Sequence, residues 1–147
     1  VQETEAAMGK DIKVAGVATV SESLKTAFAT EDQFGNPTVN MATAKPVSLL
    51  CASGFAQTYN LLTGHRDATL AENGDAGELN TTLWPITDLE TLEIISQWDT
   101  PEGGKWIVDY DIVDSMLAVN NPDLTNADIQ AIVDSVTYES TLERLGE

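Results

Sequence analysis

The stretch LEIISQWDTPEGGKWIVDYDIV, residues 92–113, holds two of the three tryptophans and the most regular alternation of apolar and polar residues in the chain. Its centre, Pro101-Glu102-Gly103, has the composition of a three-residue turn that connects two antiparallel strands. Counting outward from this turn places Trp98 opposite Trp106, a cross-strand aromatic pair that favours a hairpin. The stretch therefore predicts a β-hairpin with a core face and a solvated face. The predicted core face carries Trp98, Trp106, Val108 and Tyr110, and the solvated face carries Asp109 and Asp111.

Most of the remaining chain also has strand-like patterns. Alternating or short continuous apolar runs predict strands, of which residues 24–30 and 38–44 would pair as a second hairpin. The predicted strands cover residues 11–20, 24–30, 38–44, 47–52, 78–84 and 136–142.

Helix signals are fewer. Residues 2–8 can form one or two helical turns that end at Gly9, and residues 54–63 are followed by a glycine stop. Thr125 and Asp128 have capping-box spacing and predict a helix over residues 126–135. A similar spacing from Thr87 to Glu90 permits a helix over residues 88–96, but the β-branched Ile94 and Ile95, the tryptophan pair and the turn favour a short helical turn near Asp88 followed by a strand. We therefore expect an α+β fold, a mainly antiparallel β sheet or sandwich with two or three short helices, in a single compact domain spanning residues 1–147.

The charge of the chain is large and unevenly distributed. The chain has 24 acidic and 7 basic residues, for a net charge of -17. Residues 1–66 hold 6 acids and 5 bases, whereas residues 67–147 hold 18 acids and 2 bases. Such a surface repels phosphate, so direct binding of nucleic acid through a broad basic face is not expected. This charge is consistent with three roles: solubility in a salty medium, attraction to a basic partner, or imitation of the charge of a nucleic acid.

Cysteine and hydropathy patterns set further limits. Cys51 is the only cysteine, so the chain has neither an internal disulfide nor a cysteine-based zinc site, and its apolar neighbours predict a small core residue. No apolar run reaches the length of a membrane span. The first ten residues lack the apolar centre of a signal peptide, and because the chain begins at Val1 we expect that an initiator methionine or a longer leader has been removed.

Polar clusters give weak signals for chemistry. His65 is the only histidine and lies beside Arg66 and Asp67 without a nucleophile-elbow sequence, so it is predicted to be a solvated loop residue. The loop from Glu72 to Glu78 offers the oxygen ligands that calcium prefers but lacks EF-hand spacing, so a solvated turn is favoured over an ion site. Asn120-Asn121-Pro122-Asp123 is a weaker candidate of the same kind.

Paired carboxylates are the last candidate for a catalytic site. Asp109 and Asp111 would share one face of the second hairpin strand, with Asp114 just beyond, and a split pair of pKa values could support acid–base catalysis. The opposite face is apolar, so these aspartates are expected to face water. We therefore predict no catalytic, cofactor-binding or metal-binding residues and no cofactor.

Three functions remain. The favoured one is a non-enzymatic structural subunit that self-assembles or decorates an assembly, such as a virion coat, decoration or tail protein or an extracellular filament subunit. Its partners would be copies of itself or other subunits, in a virion or extracellular assembly rather than the cytoplasm. The alternative is an acidic inhibitor or adaptor, such as a nucleic-acid mimic, that binds a basic partner. The third is a small enzyme or ligand-binding domain, which a pocket joining the loop of residues 65–77 to Asp109 and Asp111 would favour.

Overall fold

A computed structural model describes residues 2–17 and 20–146 of the chain. Within these residues the protein is 46% helical and 11% strand, with seven α-helices and a mixed sheet of three short strands. The prediction of a mainly antiparallel β sheet or sandwich, and of a β-rich protein, is therefore wrong. Backbone contacts group the chain into two compact units, each built from two stretches of sequence. The single domain over residues 1–147 stays a prediction.

The first unit comprises Val1–Lys45 and Leu83–Gly104 and contains the sheet. In chain order its elements are α1 (Gln2–Met8), β1 (Ala15–Val17), α2 (Glu22–Ala29), β2 (Met41–Ala44), β3 (Trp84–Ile86) and α4 (Leu89–Ile95). Strand β2 lies in the middle of the sheet, parallel to β1 and antiparallel to β3. Helix α2 packs against α4, and α4 packs against β3.

Two tryptophans form the centre of this unit. The rings of Trp84 and Trp98 meet edge to face, with centroids 5.7 Å apart and planes at 87°. This is a favoured arrangement because the positive edge of one ring meets the negative face of the other. Trp98 is only 4% exposed, so its prediction as a core residue is confirmed.

Side-chain caps decide the helices of this unit. Ser21 accepts a hydrogen bond from the backbone N–H of Leu24 (3.2 Å) and starts α2, which buries Leu24 and Phe28 on one side. The predicted strand over residues 24–30 is therefore wrong. At α4, the Asp88 carboxylate accepts from the backbone N–H of Thr91 (2.7 Å), and the helix replaces the first strand of the predicted hairpin. In both segments a cap aligned with buried apolar residues three or four positions apart outweighs the strand preference.

Three of the strands predicted in this unit are present, but each is much shorter than predicted. Residues 11–20 contribute Ala15–Val17, while residues 18 and 19 of that prediction lie outside the described residues. Residues 38–44 contribute Met41–Ala44, and the segment 78–84 reaches a strand only at Trp84. Since β2 pairs with β1 and β3, the predicted second hairpin is wrong.

The hairpin predicted for residues 92–113 is also wrong. Pro101 to Gly103 do form a turn, but the flanking segments are α4 and a second helix, α5 (Tyr110–Ser115). Trp106 is 48% exposed and Tyr110 is 78% exposed, so neither is a core residue. The alternation of apolar and polar residues in this stretch therefore does not reflect β-strands. It occurs in a helix, a turn and another helix that follow one another.

The second unit comprises Pro46–Thr82 and Lys105–Glu147, and all of its described regular elements are helical. Its elements are the long helix α3 (Val47–Leu62), a 3₁₀ turn (Arg66–Thr69), α5, α6 (Asn126–Ser135) and α7 (Tyr138–Leu145). Helix α3 packs against the 3₁₀ turn, α5 and α6. Among the residues that the structure describes, no helix combines the length and the apolar character needed to cross a bilayer.

Capping separates the correct predictions in this unit from the incorrect ones. The helix over residues 126–135 is confirmed, with the predicted reciprocal capping box between Thr125 and Asp128. The predicted strand over residues 136–142 is wrong because Thr137 and Ser140 form the same kind of box and open α7. The strand over residues 47–52 is wrong as well, since α3 begins directly after Pro46 and includes residues 54–62 of the predicted helix, with Thr63 as its C-cap.

Candidate functional site

Helix α3 is fixed to the second unit by small and polar side chains. Asn60 is fully buried: its amide nitrogen donates to the Met116 carbonyl (2.9 Å), and its amide oxygen accepts from the Ala118 backbone N–H (2.8 Å). Because both polar ends of this amide are satisfied, its burial holds α3 in one orientation. The buried side of the helix consists of Leu49, Ser53, Ala56 and Asn60.

The opposite side of α3, here called the outer face, is apolar and exposed. Four large side chains on it are exposed to solvent by 51% or more: Val47 by 58%, Phe55 by 51%, Leu61 by 53% and Leu62 by 79%. Cys51, Gly54 and Thr58 are exposed between them. Since Cys51 lies on this face, its prediction as a core residue is wrong.

This arrangement departs from the usual amphipathic helix, which buries its large apolar side chains and exposes charged ones, because α3 buries Leu49 but exposes four other large apolar side chains. The chain has no Asp, Glu, Lys or Arg between Lys45 and Arg66. Sequence reasoning missed the outer face because it divided the segment into a strand and a helix. The spacing of Val47, Cys51 and Phe55 at every fourth residue was the signal that would have revealed it.

The polar loop of residues 65–77 lies beside α6. Together they line a groove of about 790 Å³ in the second unit. Four carboxylates border it, and no Lys, Arg or His is among the described lining residues. These acids are Asp67, Glu72, Glu78 and Asp134. Asp109 and Asp111 do not line the groove, so the pocket that would have favoured the enzyme hypothesis is not formed by those residues.

His65 lies elsewhere in the same loop. With Arg66, Asp67, Pro122 and Leu124 it lines a small pocket of about 160 Å³. No Ser, Thr or Cys is among the described residues of that pocket, so the structure brings no nucleophile to this histidine there. Asp123 of the weaker candidate segment is exposed next to Pro122.

The ion-binding candidate from Glu72 to Glu78 forms a self-contained turn. The Asn73 amide donates to the Asp75 carboxylate (2.8 Å), and the Asp75 backbone N–H donates to the Asn73 side chain (3.1 Å). Gly74 takes a φ of 83°, in the left-handed region that favours glycine. The polar atoms at the tip of the loop are therefore engaged with each other.

Carboxylates instead converge in the first unit. Oxygen atoms of Glu5, Asp11 and Asp32 lie within 4.8 Å of one another, the one such group among the described residues. Glu5 is 1% exposed, and one of its oxygens accepts from the Ile12 backbone N–H (2.9 Å). The Lys13 ammonium lies 2.7 Å from Asp11. Oxygen ligands of this kind suit hard cations such as Ca²⁺. The spacing of these three residues in the sequence does not predict the carboxylate group, because only folding brings them together.

Asp109 and Asp111 do not form a catalytic pair. Asp109 caps α5 by accepting from the Ile112 backbone N–H (3.0 Å), and it also accepts from the Arg144 guanidinium (3.0 Å). Asp111 is exposed, as predicted. Asp114 accepts a hydrogen bond from the Asn120 side chain (2.8 Å).

Arg144 connects α7 to the segment that precedes α5. Besides its contact with Asp109, its guanidinium donates to the carbonyls of Trp106 (2.9 Å) and Ile107 (2.8 Å). A planar guanidinium can satisfy several acceptors at once, which makes this a structural clamp.

Among the residues that the structure describes, two carboxyl groups have lowered pKa values: Asp88 is the N-cap of α4, and Asp128 belongs to the capping box of α6. The pKa of Asp88 is lowered by the Thr91 backbone N–H that donates to it. The pKa of Asp128 is lowered by the Thr125 hydroxyl and then by the Thr125 backbone N–H. Both shifts follow from hydrogen bonds to the charged form, so they mark helix capping rather than catalysis.

The chain matches no protein-family model, no curated protein and no solved structure. Its surfaces are therefore the basis for inferring its function. Of these surfaces, the outer face of α3 differs most from the charged exterior of an ordinary soluble helix.

Proposed function

We propose that the protein is a non-enzymatic structural subunit that assembles through protein–protein contacts, with copies of itself as its first partners. The observation that carries the proposal is the outer face of α3, a continuous apolar surface on a chain of net charge -17. Contiguous apolar patches on soluble proteins are typical of interaction sites, whereas scattered apolar residues are not.

The size of the outer face is consistent with an interface. Taking the exposed fractions of its side chains, it presents roughly 600 Å² of surface, against about 800 Å² per partner in a standard protein–protein interface. Removing this surface from water is favourable in proportion to its apolar area. The strong negative charge elsewhere keeps the free subunit in solution while the outer face stays available.

The polar residues also support a structural role. Asp88, Asp109 and Asp128 hold helix termini, and Arg144 ties two segments together. Groups used in this way stabilise the fold and are not free to exchange protons with a substrate. This favours a subunit whose function lies in contact rather than in chemistry.

Sedimentation velocity tests the proposal. From about 1 to about 500 μM, a range that brackets the affinity of a small interface, the chain should shift from monomer to a larger species. The shift should increase with salt, because screening weakens the repulsion between two acidic chains. A single monomeric species at every concentration and salt level would contradict the proposal.

A second function, an acidic adaptor for a basic partner, is supported by the groove beside α6. Its four carboxylates and the lack of bases among its described lining residues suit a lysine- or arginine-rich segment. Salt distinguishes the two functions, since binding of a basic peptide should weaken as salt rises. Titration with oligolysine provides the measurement, and the variant Asp134→Asn should reduce binding if the groove is the site.

A further inference from the structure

We propose that the outer face of α3 pairs with the same face of a second copy, with the two helices antiparallel about a two-fold axis at the Gly54–Phe55 peptide bond. This inference rests on the proposed function, because it names the surface and the geometry through which the subunit would self-assemble.

The first support is the spacing of the exposed residues. A two-fold interface is self-complementary, so a residue on one side of the axis must meet its counterpart from the other side. Six of the seven positions of the outer face have this symmetry in sequence, since they lie at equal steps on either side of the bond between residues 54 and 55, and Leu61 is the exception. The pairs that result are Val47 with Leu62, Cys51 with Thr58, and Gly54 with Phe55.

The second support is shape at the centre. Apart from the backbone of its own helix, a Cβ atom placed on Gly54 would meet no atom within 4 Å, so no neighbouring part of the described chain requires glycine at this position. Glycine weakens the interior of a helix, and it commonly marks the close approach of another group. In the antiparallel pair, the half-exposed ring of Phe55 from one copy lies over Gly54 of the other.

The third support identifies the occupant. The outer face has no charged residue, so a copy of the same face can approach without burying an unpaired charge. A basic partner would find no carboxylate on α3 to bind. Complete burial of both faces would remove roughly 1,200 Å² from water, the low end for specific complexes, where weak and transient pairs are found, so we expect a weak dimer.

Helix dipoles favour the antiparallel orientation. Helix α3 has no acidic residue in its first turn, no basic residue in its last turn and no side-chain hydrogen bond at its N-cap. An antiparallel neighbour places its negative C-terminal end beside the positive N-terminal end of α3, and the reverse holds at the other end.

A disulfide formed between copies tests the register. In the variant Thr58→Cys, the introduced thiol should face the native Cys51 of the other copy. Within one helix these positions are seven residues apart, about 10 Å along the axis, which is too far for an internal disulfide. Mild oxidation should therefore give a dimer on a non-reducing gel. The native chain should stay monomeric on that gel, since its two Cys51 residues would lie roughly 13 Å apart.

Thr26→Cys is the matched control. Thr26 and Thr58 are both exposed within a helix, and each hydroxyl donates to the carbonyl four residues earlier at 2.9 Å. The two substitutions therefore cause the same local change, but only position 58 lies on the outer face. Cross-linking of Thr58→Cys well above that of Thr26→Cys is the result expected.

Other outcomes overturn the inference in distinguishable ways. Cross-linking of the native chain through Cys51 would indicate parallel helices or another register. A native chain that sediments as a dimer while Thr58→Cys fails to cross-link would place the contact in another register or on another surface, which overturns this inference and leaves the proposed function standing. A native chain that never self-associates would contradict both.

A second pair of variants protects the test from a folding artefact. Phe55→Ser should weaken self-association at least tenfold, whereas Phe34→Ser, which removes an exposed ring from a different surface, should leave it unchanged. Circular dichroism of each variant verifies the fold. Equal association of the two variants would overturn the inference.

Discussion

Replacing Gly54 by alanine should stabilise the folded monomer and weaken its self-association. The added methyl group meets no atom within 4 Å, and the position lies within a regular helix, so the fold has no steric reason to resist it. Alanine in place of glycine in a helix interior adds about 0.5 to 1 kcal/mol to the free energy of unfolding. For a chain of this size each kcal/mol raises the melting temperature by about 2 to 4 °C.

The two effects are measured separately. Urea unfolding followed by tryptophan fluorescence at about 0.1 μM, well below the expected dissociation constant, reports the monomer. Sedimentation at high concentration reports association, which should weaken because the methyl group occupies the space proposed for the partner's Phe55. The contrasting variant is Gly77→Ala, whose Cβ would collide with the Asn126 side chain and should destabilise the fold. A destabilised Gly54→Ala monomer would refute the reasoning, because it would mean that the methyl group meets part of the chain.

Three further predictions concern the fold. Trp98→Ala should lower the free energy of unfolding by about 3 to 5 kcal/mol. Trp106→Ala should lower it clearly less in the same denaturation assay, because Trp106 is half exposed. Equal losses of stability would contradict the burial that the structure gives these two residues. Glu5→Gln retains an acceptor for the Ile12 backbone N–H and relieves repulsion between carboxylates, so its unfolding midpoint should match or exceed that of the native chain. Glu5→Ala removes the acceptor, so its free energy of unfolding should fall by about 1 to 3 kcal/mol. Equal losses of stability in the two variants would mean that the charge itself is needed. Asp88→Ala should cost about 1 kcal/mol at neutral pH. Because the pKa of Asp88 is lowered on folding, this stabilisation is present above the ordinary carboxyl range and is lost as the pH falls through the folded pKa, so the difference from the native chain should shrink in acid.

Local capping signals predicted individual helices well where they were explicit. The pair Thr125 and Asp128 has the standard spacing, and α6 has the predicted bounds. Gly9 ends α1 as expected, with its backbone N–H donating to the Glu5 carbonyl (2.8 Å). These features depend on residues within one or two turns, so sequence alone contains the necessary information.

The sheet was overpredicted because Ala, Thr and Ser do not distinguish a strand from a helix by alternation. In α2 the decisive residue is Ser21, and in α7 it is Ser140, which replaces the acidic residue usual in a capping box. In α3 the predicted helix begins only after Ser53, but Ser53 lies buried within the helix and its hydroxyl donates to the Leu50 carbonyl (3.0 Å). The outer face was lost with that division.

The carboxylate group of Glu5, Asp11 and Asp32 could not be predicted for a different reason. Its geometry depends on how α1 and the loop after α2 come together, and no local pattern encodes that distance. The same holds for the groove, whose two sides lie about fifty residues apart in sequence, as the hydrogen bond from the Asn80 backbone N–H to the Gln130 side chain illustrates (2.8 Å).

The Arg144 clamp has a consequence for limited proteolysis. One side chain near the end of α7 supplies three hydrogen bonds to the segment that leads into α5. An exopeptidase that shortens α7 would therefore leave this segment held until it removes residue 144, and would then release all three contacts in a single cleavage. Digestion should consequently pause at a trimmed but folded species and proceed abruptly once that residue is lost.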